Sequence, residues 1–203
     1  MKNIAVFASG GGSDLQAIID ACKSGRLNAA VCAVISNNSS SMALQRARNE
    51  GIPAFHFSSK LIVDPTELEK RILDTLLERE TDLVFLAGYL KKMGPAVLRT
   101  YENRIYNIHP SLLPKYGGEG MYGINVHRAV LEAGETETGI TIHRVSAEYD
   151  TGEIIAQRKV PVQNGDTPET LAARVLAQEH VFIVEALSGI IDRRGEAFNS
   201  TLP

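Results

Sequence analysis

An α/β fold, a Rossmann-like three-layer sandwich around a mostly parallel central sheet, is predicted by three observations. Short apolar runs bounded by glycine, serine or proline alternate with segments of helical spacing through the first half of the chain. The first run ends in Ser9 and three glycines that lead straight into a helix, a junction suited to phosphate. From Thr138 onward, two strand-like runs follow each other with little helix between them and alternate polar with apolar, as antiparallel strands do.

The elements follow in order. Ile4 to Ala8 reads as a buried strand, and Asp14 to Cys22 as a helix carrying Leu15, Ile18, Ile19 and Cys22 on one face and closing near Gly25. Ala30 to Ile35 is a second strand, Met42 to Asn49 a helix ended by Gly51, and Pro53 to Phe57 a third strand. A helix opens around Thr66, with Asp64 or Thr66 as its N-cap, and turns Leu68, Ile72, Leu73, Leu76 and Leu77 to one side. Asp82 to Ala87 is a fourth strand; Arg104 to Ile108, Thr138 to Val145 and Glu153 to Val160 are three more. Pro168 to Leu187 is a final helix with Thr167 as N-cap, and the tail after Arg193 is polar and expected to be loosely held.

Composition narrows the class. With 203 residues, 44% apolar and 22% charged, the chain buries a normal core without staples and is expected to form a single domain over residues 1–203. Cys22 and Cys32 form no CxxC and are expected as core thiols of a reducing compartment. No run reaches membrane-span length, and Met1 to Ile4 passes into a strand without signal-peptide architecture, so a cytoplasmic enzyme without a membrane partner is expected. The net charge of −3 and the scattered basic residues give no footprint for nucleic acid.

Two motifs carry chemistry. In Ser9-Gly10-Gly11-Gly12-Ser13-Asp14 the backbone N–H groups and the helix N-terminus suit a phosphate, and a monophosphate on a small nucleotide-like ligand is the better reading than a tight turn that binds nothing, which glycines alone also allow. A dinucleotide fingerprint would need glycine at Leu15 and an acidic end to the second strand, which instead finishes Ser36-Asn37-Asn38. The second motif is Asn107-Ile108-His109-Pro110-Ser111-Leu112-Leu113-Pro114, with Tyr149-Asp150-Thr151-Gly152 downstream. Asn107 and His109 are two apart and point to one side of an extended strand, a carboxamide donor beside a titratable base. Asp150 is placed to pair with His109, which would favour the imidazolium and fix the ring. Ser111 lacks a nucleophile elbow and reads as a turn hydrogen-bonder. The five histidines have no paired ligand spacing, so no metal is expected; His56 and His143 lie in strand patterns and read as structural. Glu179 interrupts the apolar stripe of the last helix at Leu171, Val175, Phe182 and Ala186, either as a half-exposed polar residue or as a ligand contact.

With these residues in hand, the chain resembles the folate-dependent formyltransferases, most closely those acting on glycinamide ribonucleotide. The resemblance runs through Ser9 to Ile19, Leu86 to Tyr89, Asn107 to Tyr116, His127-Arg128, Tyr149 to Ile155 and Gln178-Glu179-His180. It implies the formyltransferase fold and transfer of a formyl group from 10-formyltetrahydrofolate to the amine of glycinamide ribonucleotide in purine biosynthesis. Residues up to about 100 would form the ribonucleotide phosphate-binding half, and those from about 101 to 190 the folate and catalytic half. By resemblance, Asn107, His109 and Asp150 are catalytic, and Gly12, Ser13, Asp14, Gly88 and Glu179 bind the ribonucleotide. Tyr89, Leu90, Lys91, Met93, Ile105, Asn107 and Tyr149 line the folate pocket, and His127 matches a family histidine near it. Asp14 stands where the family often has Asn, and Lys91 where Arg is common. The loop Gly117 to Gly123 is longer than in many relatives and carries no assigned contact. The partners implied are these two small molecules, with the protein a monomer or weak homodimer. The rival readings are a 10-formyltetrahydrofolate deformylase and a non-catalytic nucleotide-binding module. The deformylase usually carries an extra N-terminal domain, and the module would leave Asn107, His109 and Asp150 unexplained.

Overall fold

The computed structural model describes residues 1–192; the polar tail predicted after Arg193 lies outside the described residues. The elements are β1 (Lys2–Phe7), α1 (Ser13–Lys23), β2 (Ala29–Ser36), α2 (Met42–Asn49), β3 (Ala54–His56), α3 (Pro65–Glu78), β4 (Leu83–Leu86) and α4 (Pro95–Thr100). They continue with β5 (Ile105–His109), α5 (Ile124–Glu132), β6 (Glu137–Arg144), β7 (Ile154–Pro161) and α6 (Pro168–Asp192). Two compact units emerge, Met1–Asn107 and Ile108 onward, with the boundary inside β5. The α/β class, mostly parallel with antiparallel strands at its C-terminal end, is as predicted.

In the first unit five parallel strands run in the order β3-β2-β1-β4-β5. Ile4, Val6, Phe7, Val34, Ile35, Val84 and Phe85 are fully enclosed, as strands covered on both faces should be. Burying each large apolar side chain contributes roughly 1.5–3 kcal/mol relative to leaving it in water. From β1 the chain steps outward to β2 and β3, then returns to the other side of β1 through α3. Right-handed crossovers in the two directions place α1 and α2 on one face and α3 on the other. The reversal leaves a switch point between the carboxyl ends of β1 and β4, the place where open α/β sheets bind ligands. Asp64 decides the start of α3, its Oδ1 accepting the Thr66 N–H at 2.9 Å.

The second unit pairs β6 with β7 in antiparallel register from Glu137↔Pro161 to His143↔Ile154. Helix α6 packs on this hairpin and on α5, burying Leu171, Val175, Phe182, Ile183, Ala186 and Leu187. Thr167 caps it as predicted, its Oγ1 accepting the Thr170 N–H at 3.3 Å. The helix continues to Asp192 rather than stopping at Leu187.

Two helices were missing from the sequence reading. Helix α4 has six residues, too few to show a period, and Gly94-Pro95 reads as a turn. Helix α5 follows a glycine-rich loop, and its buried stripe of Val126, His127 and Val130 is broken by an imidazole. Cys22 and Cys32 are unbridged but half-buried, not the full core thiols expected; burial raises both thiol pKa values. Among the described residues, no helix is long and apolar enough to cross a membrane.

Candidate active site

In the first unit the switch point is built by Ser9. Its N–H donates to Gly88 O at 3.0 Å, and its hydroxyl accepts the Leu90 N–H at 2.9 Å and donates to Asn37 Oδ1. The ends of β1, β2 and β4 are thereby tied together just before the glycine turn. Gly12 is the N-cap of α1 with a left-handed φ of 69°, and a Cβ there would lie 2.8 Å from Ala43 Cα. Glycine is required at that position both by conformation and by space. Ser13 and the acidic Asp14 open the helix and are half-buried. Gly88 also has positive φ, 73°, and Tyr89 after it sets its ring edge against Phe7 with centroids 5.2 Å apart. Leu90 and Lys91 are exposed, while Met93 is buried. Ile105, expected with them, is enclosed at the start of β5 opposite Val84, away from the carboxyl end of the strand. Asn107, opposite Leu86, is half-buried near that end.

In the second unit Asp150 joins three backbone segments. Its Oδ2 accepts the Gly118 N–H at 2.9 Å and lies 3.5 Å from His109 Nδ1, while Oδ1 lies 3.4 Å from His143 Nε2. Both rings are anchored at their other nitrogen. His109 Nε2 is 2.8 Å from Tyr116 O, and His143 Nδ1 is 2.7 Å from Arg144 O. A carbonyl oxygen only accepts, so each of those nitrogens carries the hydrogen, and in His109 the nitrogen facing Asp150 is left to gain or lose a proton.

The backbone is shaped to allow this. Asp150 and Tyr116 both adopt left-handed conformations, with φ of 56° and 57°, which non-glycine residues enter at a cost. Gly117 passes so close that a Cβ would sit 2.5 Å from Leu113 Cδ2 and 3.1 Å from Asp150 Cβ. Ser111 Oγ donates to Lys115 O at 2.7 Å, the turn bond predicted for it. Thr141 on β6 donates to Ser111 O at 2.6 Å and accepts the Leu113 N–H at 3.0 Å, locking the segment after His109 onto the hairpin.

Electrostatics separate the partners. Burial opposes ionisation of Asp150, but the His143 hydrogen bond, the neighbouring His109 and the Gly118 N–H outweigh it and hold the carboxyl below its ordinary range. For His109 burial is the largest influence and lowers its pKa. Asp150 and the Tyr116 carbonyl pull upward as expected without overcoming it. The net direction for His109 is therefore toward the neutral form, opposite to the imidazolium preference expected from Asp150 alone. His127 on α5 is likewise lowered, first by burial and then by His109, and its Nδ1 has no hydrogen-bond partner among the described residues.

Placement adds a contact to one reading and narrows another. His143, read as structural from its strand pattern, sits against the Asp150 carboxylate, because β6 delivers it to the same turn as Asp150. Glu179 is 7% exposed, which removes the half-exposed reading. Tyr149 is half-buried beside Asp150, and His56 is half-buried in β3. Among the described residues no group of three His, Cys, Asp or Glu side chains is placed to hold a metal ion.

The formyl transferase family pattern matches residues 2–187. A chloroplastic phosphoribosylglycinamide formyltransferase of Vigna unguiculata is 47% identical over 194 residues, covering 95% of this chain and 62% of the relative. The phosphoribosylglycinamide formyltransferase of Escherichia coli is 40% identical over 192 residues, 95% of this chain and 88% of the relative. The chain thus spans less than two thirds of the Vigna protein but most of the bacterial one. Among solved structures, glycinamide ribonucleotide transformylase 1 of Symbiobacterium toebii superposes with a TM-score of 0.88 at 40% identity, covering 95% of this chain and 88% of that one. Phosphoribosylglycinamide formyltransferase of Bacillus halodurans gives 0.88 at 34% identity, covering 98% and 100%.

Proposed function

The chain belongs to the formyl transferase family, and from that premise we propose that it moves a formyl group from 10-formyltetrahydrofolate to the amine of glycinamide ribonucleotide, yielding N-formylglycinamide ribonucleotide. The observation that carries the reading is Asp150, a half-buried carboxylate shared by His109 and His143, with Asn107 two residues before His109 on the same strand.

The amine attacks the formyl carbon, and negative charge grows on the formyl oxygen. Asn107 donates an N–H to that oxygen. The proton released by the attacking amine, relayed through water and Asp150, rests on His109 Nδ1 while the charge is on the oxyanion, placing positive potential beside it, and passes back through Asp150 to the folate nitrogen. Asp150 accepts the proton of the attacking amine, through water, and returns it to the folate nitrogen as the C–N bond breaks. His143, tied to Arg144 O, holds the carboxylate in place. No covalent intermediate is formed.

For binding, the first unit holds the ribonucleotide phosphate at Gly12, Ser13 and Asp14, with Gly88 beside them. In the first unit Tyr89, Leu90, Lys91 and Met93 are assigned to the folate, and Ile105, enclosed at the start of β5, is not. In the second unit Tyr149 is assigned to the folate and Glu179 to the glycinamide end. The protein works on small molecules, as a monomer or weak homodimer. The test is direct: incubate the protein with formyl-labelled donor and glycinamide ribonucleotide, then look by mass spectrometry for label on the ribonucleotide. Label there supports the reading; label released only as formate contradicts it.

A further inference from the structure

Three successive carbonyls of the glycine turn are held by a single neighbouring segment. Ser9 O accepts from Asn38 Nδ2 at 3.2 Å. Gly10 O accepts from Ser41 Oγ at 2.9 Å and from the Ala43 N–H at 3.1 Å. Gly11 O accepts from Arg46 Nε at 2.9 Å, while Arg46 Nη1 reaches Gln16 Oε1 at 3.3 Å on α1. In a planar trans peptide the carbonyl and the next N–H point in opposite directions. Drawing these three carbonyls toward the start of α2 therefore turns the N–H groups of Gly10, Gly11 and Gly12 the other way. Gly10 and Gly11 are exposed, and none of the three N–H groups donates to another group among the described residues. Successive N–H groups pointing to one side form an anion-binding concavity, continued by the N-terminus of α1.

We propose that Arg46 is a positioning residue for phosphomonoester binding, clamping the Gly11 carbonyl so that the turn presents its N–H groups to the phosphate. This rests on the phosphate assignment made above. Glycines supply the turn's shape but not its orientation, since a free glycine peptide rotates readily. The guanidinium fixes that rotation and bridges α2 to α1 behind the turn. The proposal accounts for a cation on α2 that spends its hydrogen bonds on a backbone carbonyl and an amide instead of a carboxylate.

The test compares Arg46→Ala, Arg46→Met and Arg46→Lys with the parent protein, reading KM for glycinamide ribonucleotide, KM for the formyl donor, kcat and the melting temperature. Loss of one charge-assisted bond to the turn should raise the ribonucleotide KM roughly tenfold in the Ala and Met variants, with kcat and donor KM within about twofold. Inorganic phosphate, as a competitor of the ribonucleotide, should weaken by the same factor, and Lys should restore part of the loss. An unchanged ribonucleotide KM in all three variants, or donor KM rising in step with it, overturns the clamp. The parent supplies the other control. If it uses the dephosphorylated glycinamide riboside as well as the ribonucleotide, the phosphate assignment itself falls, and the role of Arg46 with it.

Discussion

Replacing Asp150 with Asn alters charge while leaving shape almost intact. The new carboxamide oxygen can still accept the Gly118 N–H, so the loop that carries Tyr116 should remain in place. What disappears is a negative charge 3.5 Å from His109 Nδ1 and 3.4 Å from His143 Nε2. At an effective dielectric of about 20, a unit charge at that distance is worth at most about 5 kcal/mol to an imidazolium. Burial already drives His109 toward the neutral form, and Asp150 is the largest influence opposing it. Without the carboxylate the ring resists protonation further, and the proton path from amine to folate loses its acceptor. A fall in turnover of roughly two orders of magnitude corresponds to about 2.7 kcal/mol of barrier, well within that ceiling. The assay is steady-state formyl transfer across a pH series, alongside thermal melting. The variant should melt like the parent, and its residual activity should move toward acid. Turnover within about threefold of the parent, at unchanged melting, would remove Asp150 from the mechanism.

Other predictions follow from the same geometry. His143→Ala should lower turnover roughly tenfold and change the pH profile, because Asp150 loses its strongest stabilising hydrogen bond; an unaltered profile would mark His143 as packing alone. Glu179→Ala should raise KM for the ribonucleotide with little change in donor KM, and parental affinity would count against its proposed contact. Acid should destabilise the fold in two stages, because His109, His127 and Asp150 all have lowered pKa values in the folded state. The stability they contribute is full above their unfolded values and is lost as pH falls, first below about 6.5 for the histidines and then below about 3.9 for Asp150. Denaturant titrations at several pH values should show both steps, with His127→Gln diminishing the first. Greater stability at acid pH would contradict the burial argument.

Much of this was legible in the chain because the signals were local. Apolar runs of the parallel strands, the Thr167 cap and the Ser9 to Asp14 turn each depend on a few adjacent residues, and Asn107 with His109 share a face by strand alternation alone. What escaped was non-local or too short. The role of His143 requires knowing that β6 ends beside the Asp150 turn. The protonation of His109 depends on how completely the fold buries it, which the sequence does not show, so a neighbouring carboxylate gave the right influence and the wrong balance. Arg46 looks like an ordinary helix cation until its partner proves to be a glycine carbonyl far back in the chain.

The central claim is that this protein transfers a formyl group instead of releasing it. The most direct measurement follows loss of the formyl group from a 10-formylfolate donor by absorbance, with and without glycinamide ribonucleotide. Loss that depends on the ribonucleotide is the predicted result. Equal loss without it would make the protein a hydrolase, and no loss in either mixture would leave Asn107, His109 and Asp150 without the chemistry assigned to them.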